Sequence, residues 1–449
     1  MKVRRLSESL KNVGKITSGT IIGQLISIVS LPFLTHIYGA TIIGIWTLMI
    51  SISSIINSIS DLGLNNAIMV GENNEAARGI YKVVSTISLM FSILAGVTTY
   101  LYFLYFENDL LISSVWISVS IALLIFTLQQ IQICYTWLNK NKKYNILMYN
   151  PIINNAFSVL IAILLSFTSL DKYGYFIGFL LGQIITMLHM KRFVPKETFS
   201  LDKNLYREVF KNNLDFLKFQ LPSNIFVQAK GQIPVLLIGT MFGPKILGYY
   251  SLAYRLLNMP VNLLANALGR VFFQRAVEVK ENGENVGEFT LRNLERAMKI
   301  AVIPIGFLLA TSDLLFSKIF GEEFIVSGNI MRVMILYAFF LFLSMSVNGI
   351  AIVLEKQKYV LISGVTQLIG FLIGILVGAY AFNSIYIATL IMSLVFSIIQ
   401  ILYFCAILKM QNININRYLI PLFQKLIIMI LVYAIIRVFL YQIGLISTF

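Results

Sequence analysis

Apolar residues run through this chain in stretches of about twenty or more, each long enough to cross a ~30 Å hydrocarbon core, with short polar segments between them. Thirteen such stretches predict membrane-spanning helices at roughly 14–37, 41–66, 80–105, 111–138, 146–169, 172–194, 212–240, 245–273, 291–318, 329–354, 358–382, 383–408 and 419–441. One polar stripe interrupts the apolar background. Across Phe242–Arg270, the residues Gly248, Ser251, Arg255, Asn258, Asn262, Asn266 and Arg270 recur at three- and four-residue steps. At 3.6 residues per turn they share one side of a helix.

A second copy of this stretch lies 204 positions earlier. Tyr38-Gly39, Gly44 and Ile45-Trp46-Thr47-Leu48 align with Phe242-Gly243, Gly248 and Tyr249-Tyr250-Ser251-Leu252. At the same offset Ser51 answers Arg255, Ser54 answers Asn258, Ser58 answers Asn262, and upstream Gln24 answers Gln228. The chain therefore reads as a duplication. Six predicted spans separate the copies, an even number, so both enter the membrane in the same sense. Parallel repeats of this kind place a transport path between their halves. The expected fold is an all-α polytopic membrane protein, two parallel-related six-helix bundles around a central cavity, plus an extra C-terminal transmembrane helix. The expected boundaries are 1–195 for the first bundle, 196–211 for a cytoplasmic linker, 212–410 for the second bundle and 411–449 for the additional helix.

Composition agrees: 58% hydrophobic and 12% charged residues with a mean hydropathy of +0.81 exclude a soluble globular chain. The net charge of +15 does not point to nucleic acid, because the basic residues lie in short loops between apolar spans. One set of loops holds Lys2, Arg4, Arg5, Lys11, Arg78, Lys140, Lys142, Lys143, Lys191, Arg192 and many more, whereas the alternate set holds only Lys172, Lys245 and Lys318. That bias sets the N-terminus in the cytoplasm and, with thirteen spans, the C-terminus outside. No small-residue cleavage site follows a short apolar core, so the first span reads as retained. Cys134 and Cys405 both fall in predicted spans, which argues against disulfides and cysteine metal sites.

Charges inside a bilayer are costly and each needs an account. Lys230 and Arg255 both lie about 15 Å inward from the outer ends of the seventh and eighth spans, at ~1.5 Å per residue, with no acid at that depth. One reading is a water-filled cavity that draws an anionic head group, Arg255 offering a bidentate fork and Lys230 a point charge. The other pairs each cation with backbone carbonyls freed by helix breaks near Gly231, Pro234 and Pro260. The stripe in span two (Thr47, Ser51, Ser54, Ser58, Asp61) suits helix packing or lining of that cavity; its register with the cationic stripe favours lining. The candidate lining is Gln24, Ser51, Ser54, Ser58, Asp61, Gln228, Ser251, Asn258, Asn262 and Arg270. Asp61 also suits a helix cap or a loop-cation partner. Arg437 and Arg332, near the outer ends of their spans, read as snorkelling cations, and Trp46, Tyr249 and Tyr250 as interfacial aromatics. Gln129, Gln130 and Gln132 read as interhelical hydrogen-bonding groups. No phosphate-binding loop, His-Glu-x-x-His or nucleophile elbow occurs. The predicted external loops are short, so the chain reads as a non-enzyme with no cofactor or metal.

Several motifs taken in order are more specific. They are Pro32 ending the first span, Tyr38-Gly39 with Gly44, and Asp61-Leu62-Gly63 closing the second. Gly248-Tyr249-Tyr250 with Arg255 and Pro260, and the turn Gly321-Glu322-Glu323-Phe324, complete the set. Over its first twelve spans the sequence resembles the polysaccharide transport family, the Wzx-type repeat-unit flippases of the multidrug/oligosaccharidyl-lipid/polysaccharide exporter superfamily. The resemblance implies a central, alternately accessible cavity whose cations map onto Lys230 and Arg255. It implies movement of an undecaprenyl-pyrophosphate-linked oligosaccharide from the inner to the outer leaflet of the bacterial cytoplasmic (inner) membrane, for O-antigen lipopolysaccharide, capsule or exopolysaccharide. The implied partners are this polyprenyl-pyrophosphate-linked oligosaccharide, the lipid bilayer and polymerase or chain-length machinery, with no nucleic acid. Related drug exporters often carry an acid in the first helix for cation coupling; span one here has none, which leaves a coupling ion (sodium or proton) open and disfavours drug efflux. The alternatives are a lipid II-type precursor flippase or a multidrug exporter of the same superfamily and, further off, a membrane O-antigen polymerase.

Overall fold

The computed structural model of the chain describes residues 2–71, 74–105, 113–196 and 198–445, with side chains from Gly14 onward except at positions 260, 262 and 263. Among the described residues there are helices and turns but no strands. Helix α1 (Lys2–Ser60) has 59 residues, a length of about 90 Å if straight and far more than one crossing. It is broken at Gly39, where φ is 66° and ψ 175°, a conformation essentially confined to glycine. There follow α2 (Asn74–Tyr105), α3 (Ser114–Lys140), α4 (Tyr144–Leu165), α5 (Asp171–Lys191) and the short α6 (Lys203–Asn212). Helix α7 (Leu221–Pro260) repeats the design of α1, with its break at Gly243, φ 84° and ψ 166°. The remainder is α8 (Asn266–Glu281), α9 (Val286–Phe320), α10 (Ile325–Val333), α11 (Ile335–Ser346), α12 (Gln357–Leu376), α13 (Ile385–Met410) and α14 (Asn416–Gln442).

Eleven helices among the described residues are long and apolar enough to cross a membrane. Two of them, Gly14–Ser60 and Phe216–Met259, contain the glycine breaks, and counting their arms separately recovers the thirteen stretches read from sequence. This is a multi-pass membrane protein. The chain forms two compact units, Met1–Leu236 and Leu237–Phe449. The segment expected as a cytoplasmic linker, 196–211, lies within the first unit and folds in part as α6.

In the first unit, small residues bring α1, α4 and α5 into backbone contact. A Cβ on Gly178 would fall 2.6 Å from the Ala162 nitrogen, one on Gly19 2.1 Å from the Met148 carbonyl oxygen, and one on Gly23 2.7 Å from that of Pro151. Side chains cannot interpose there, so dispersion between backbones holds the three helices together. Above these contacts Tyr38 donates from its hydroxyl to the Ala162 carbonyl at 2.5 Å. Its ring joins Trp46, Tyr175, Phe176 and Phe179 in one aromatic cluster. Trp46 is buried in that cluster, and Tyr249 and Tyr250 are likewise buried in the second unit. They are packing residues, not the interfacial aromatics expected: Trp46 packs on the rings of α5, Tyr249 on Phe324 and Tyr250 on Tyr254.

In the second unit α14 lies along α9. A Cβ on Gly306 would meet Val432 at 3.0 Å and the Met429 carbonyl at 3.2 Å. Near the N-terminal ends of the two helices Arg417 makes a bidentate pair with Glu288. The additional C-terminal helix is thus an integral part of this unit.

Candidate functional site

The break at Gly243 gives Lys230 and Arg255 closely matched positions on the two arms of α7, about 20 and 18 Å of helix rise from it. Helix α7 runs through Gly231 and Pro234, Gly243 being its one residue with non-helical angles. The chain does not break beside Lys230, but Pro234 has no N–H to give, so the Lys230 carbonyl four residues earlier is left without its helical donor. Lys230 is half-buried and has no carboxylate partner among the described residues. Arg255 is exposed on the second arm, next to exposed Tyr254.

The stripes match in register but differ in exposure. On the second arm of α1, Ser51 and Ser58 are buried and Ser54 is half-buried; Ser58 donates to the Ile55 carbonyl of its own helix at 2.7 Å. Asp61 is 3% exposed and its carboxylate accepts from the Gly63 N–H at 2.9 Å, closing a turn in which Leu62 and Gly63 have φ of 51° and 75°. That turn sits against the π-helical turn Phe216–Gln220, whose Phe216 carbonyl and following Leu221 nitrogen would lie 2.9 and 2.8 Å from a Gly63 Cβ. Asp61 thus holds the end of α1 and the entrance to α7 in place. Gln228 is half-buried; Gln24 is half-buried too, with a buried Oε1 that has no hydrogen-bond partner among the described residues. In the second unit, Ser251 donates to the Gly248 carbonyl at 3.0 Å and Asn258 to the Tyr254 carbonyl at 2.7 Å, both half-buried. Arg270 is exposed, its Nε 3.4 Å from the Asn266 carbonyl. The side chains of Pro260 and Asn262 lie outside the described residues. The predicted set is therefore two kinds of residue: Arg255, Arg270, Lys230, Gln228 and Ser54 offer surface, whereas Ser51, Ser58 and Asp61 are bound into packing.

Sequence reading missed one charged cluster. Asp313 of α9 receives Arg332 Nη2 of α10 at 2.7 Å and Arg437 Nη2 of α14 at 2.9 Å. Arg332 also donates Nε to the Leu309 carbonyl at 3.2 Å. Arg437 is 4% exposed and lies over the Tyr433 ring. The expectation that both arginines snorkel is overturned: each pairs with the half-buried Asp313 carboxylate within the unit. Asp313, an acid in the apolar C-terminal half of the ninth span, signalled a nearby cation without indicating which one. The glutamines of α3 did behave as expected: Ser60 donates to Gln129, Asn57 to Gln132, and Gln130 to Ser88 of α2.

A family model described as "Polysaccharide biosynthesis protein" matches residues 42–329. The teichuronic acid biosynthesis protein TuaB of Bacillus subtilis (strain 168) is 26% identical over 154 residues, 34% of this chain and 30% of that protein. The amylovoran biosynthesis protein AmsL of Erwinia amylovora is 23% identical over 142 residues, 32% of this chain and 36% of that protein. The chain thus aligns with about a third of each of these relatives. Among solved structures, the lipid II flippase MurJ in an inward closed conformation superposes with a TM-score of 0.71 at 14% identity, covering 95% of this chain and 98% of that one. An inward-facing multidrug resistance MATE family transporter of the MOP superfamily gives 0.59 at 12% identity, covering 88% and 94%. At such identities the likeness is one of fold alone.

Proposed function

This chain belongs to the polysaccharide biosynthesis protein family, and we propose that it is a flippase for lipid-linked oligosaccharide repeat units. It carries an undecaprenyl-pyrophosphate-linked oligosaccharide from the inner to the outer leaflet of the bacterial cytoplasmic membrane, by alternating access, for assembly of a surface polysaccharide such as O-antigen, capsule or exopolysaccharide. The observation that carries this reading is Arg255, an exposed guanidinium within an apolar helix of a chain in this family. Its planar fork suits two phosphate oxygens at once, and Lys230, without a carboxylate partner among the described residues, adds a second positive charge. Dragging a hydrated, charged saccharide through hydrocarbon would leave its polar groups unsatisfied at several kcal/mol each, about 2–7 per hydroxyl. A polar route for the head group, with the polyprenyl tail left in lipid, removes that cost.

The relatives named for teichuronic acid and amylovoran biosynthesis support a polysaccharide precursor as cargo. The fold shared with a lipid II flippase supports a lipid carrier. The test is the leaflet in which the lipid-linked unit accumulates in a strain lacking the protein. Accumulation on the cytoplasmic leaflet is expected; normal arrival on the outer leaflet without polymerisation would overturn transport in favour of polymerisation.

A further inference from the structure

Beyond α5 the first unit carries a feature that the transport reading leaves unused. The chain leaving Lys191 turns back along α2 and α3. Thr86 of α2 accepts from the Ser200 N–H at 3.1 Å and donates to the Ser200 carbonyl at 3.2 Å. Phe199 stacks on Phe126 of α3 with ring centroids 6.4 Å apart, and Lys191 Nζ stands 5.7 Å from each of these two rings. From its Asp202 cap, which accepts from the Asn204 N–H at 2.9 Å, α6 then runs back to cover Gly79. There Leu205 and Val209 lie 3.0 and 3.9 Å from the place of a Cβ. Gly79 and Thr86 are about 10 Å apart along α2. Ser200 is therefore that much further into the apolar part of α2 than the body of α6.

Two kinds of surface meet on this segment. Leu201 is 79% and Phe199 46% exposed, at the level of an apolar span. On α6, Lys203, Arg207 and Lys211 are all exposed and, at four-residue steps, form one row along the helix. At ~100° per residue the row borders the arc of Tyr206 and Phe210, while Asn204 and Glu208 lie on its far side. The acids nearby in sequence are Glu197, Asp202, Glu208 and Asp215; Asp202 is engaged as the cap. Exposed apolar side chains level with a membrane span, flanked by a basic row one helix turn away, match a bilayer interface with anionic lipid.

We propose that residues 199–211 form an interfacial anchor selective for anionic phospholipids. Phe199 and Leu201 enter the acyl region, and Lys203, Arg207 and Lys211 bind the phosphate head groups. The test uses the full chain reconstituted in phosphatidylcholine vesicles, with trace spin-labelled phosphatidylglycerol or phosphatidylcholine. Electron paramagnetic resonance then reads the lipid held at the protein surface. A several-fold preference for phosphatidylglycerol is expected, falling as salt is raised. The variant Lys203→Gln/Arg207→Gln/Lys211→Gln is expected to lose most of that preference, and Arg275→Gln/Arg292→Gln/Arg296→Gln, an equal loss of charge elsewhere, is expected to keep it. Equal loss in both, or no loss in the first, would overturn the proposal. Independently of how the triple variant folds, a nitroxide on Leu201→Cys is expected to be more accessible to oxygen than to a water-soluble nickel chelate. The reverse order would place this segment in water and overturn the anchor.

Discussion

Gly39 and Gly243, 204 residues apart, hold nearly the same backbone conformation, with φ, ψ of 66°, 175° and 84°, 166°. Each divides a helix too long for one crossing into two arms, and they occupy equivalent positions in the duplicated sequence. An L-residue with a Cβ pays about 1–3 kcal/mol to adopt such angles. No atom lies within 4 Å of where a Gly243 Cβ would stand, so the penalty there comes from the backbone alone. Gly243→Ala is expected to destabilise the protein by that amount, read as a lowered melting temperature in detergent, with Gly39→Ala acting in the same direction. An unchanged melting temperature for Gly243→Ala would mean that the break tolerates ordinary helical angles.

Asp313 balances two arginines, and the two sides of that balance are unequal. Asp313→Asn leaves Arg332 and buried Arg437 facing each other without a counter-charge. Breaking a fully buried pair in this way costs about 3–5 kcal/mol, and the partial exposure of Asp313 and Arg332 makes the cost here smaller. Arg437→Met removes the more buried cation and leaves the 2.7 Å Asp313–Arg332 pair intact. Asp313→Asn is therefore expected to lower thermal stability more than Arg437→Met, and the double variant to be less damaged than Asp313→Asn alone. Equal melting temperatures for the single variants would contradict the assignment.

Lys280 and Glu355 form an exposed pair at 2.7 Å, which holds the Glu355 carboxyl below the usual glutamate range through hydrogen bonding and charge. Because the folded value is depressed, the stabilisation is present above the unfolded value of ~4.3 and is lost as pH falls through the folded one. Exposure makes the effect small. Lys280→Gln is expected to melt slightly below the wild type at neutral pH, the gap closing on acidification. A gap that persists in acid would show that Lys280 acts through packing instead.

The spans were legible because twenty-residue apolar runs admit few other structures, and the repeat was legible because the Gly39 and Gly243 turns recur with their flanking residues. Arg255 stood out for the same reason: a cation in hydrocarbon is rare enough to demand an explanation. The Asp313 cluster was not legible, since Arg437 lies 124 positions from its partner and nothing local distinguishes a paired arginine from a snorkelling one. Asp61 shows a different difficulty. Its place in a polar stripe suggested lining, but the positive φ of Leu62 and Gly63 turned its carboxylate onto the backbone. The return of residues 199–211 along α2 rests on Thr86–Ser200 hydrogen bonds, which loop composition does not encode.

As a flippase, the chain would move a lipid-linked saccharide past Arg255 and Lys230. The most direct measurement reconstitutes the protein in vesicles containing polyprenyl-pyrophosphate-linked oligosaccharide and follows arrival of the saccharide at the opposite leaflet with an impermeant sugar-modifying enzyme. Fast translocation is expected of the wild type, with at least a tenfold loss, about 1.4 kcal/mol, in Lys230→Ala/Arg255→Ala protein that melts normally. Unimpaired translocation by that variant would remove the two cations from the path, and no translocation by the wild type under any imposed ion gradient would contradict the flippase itself.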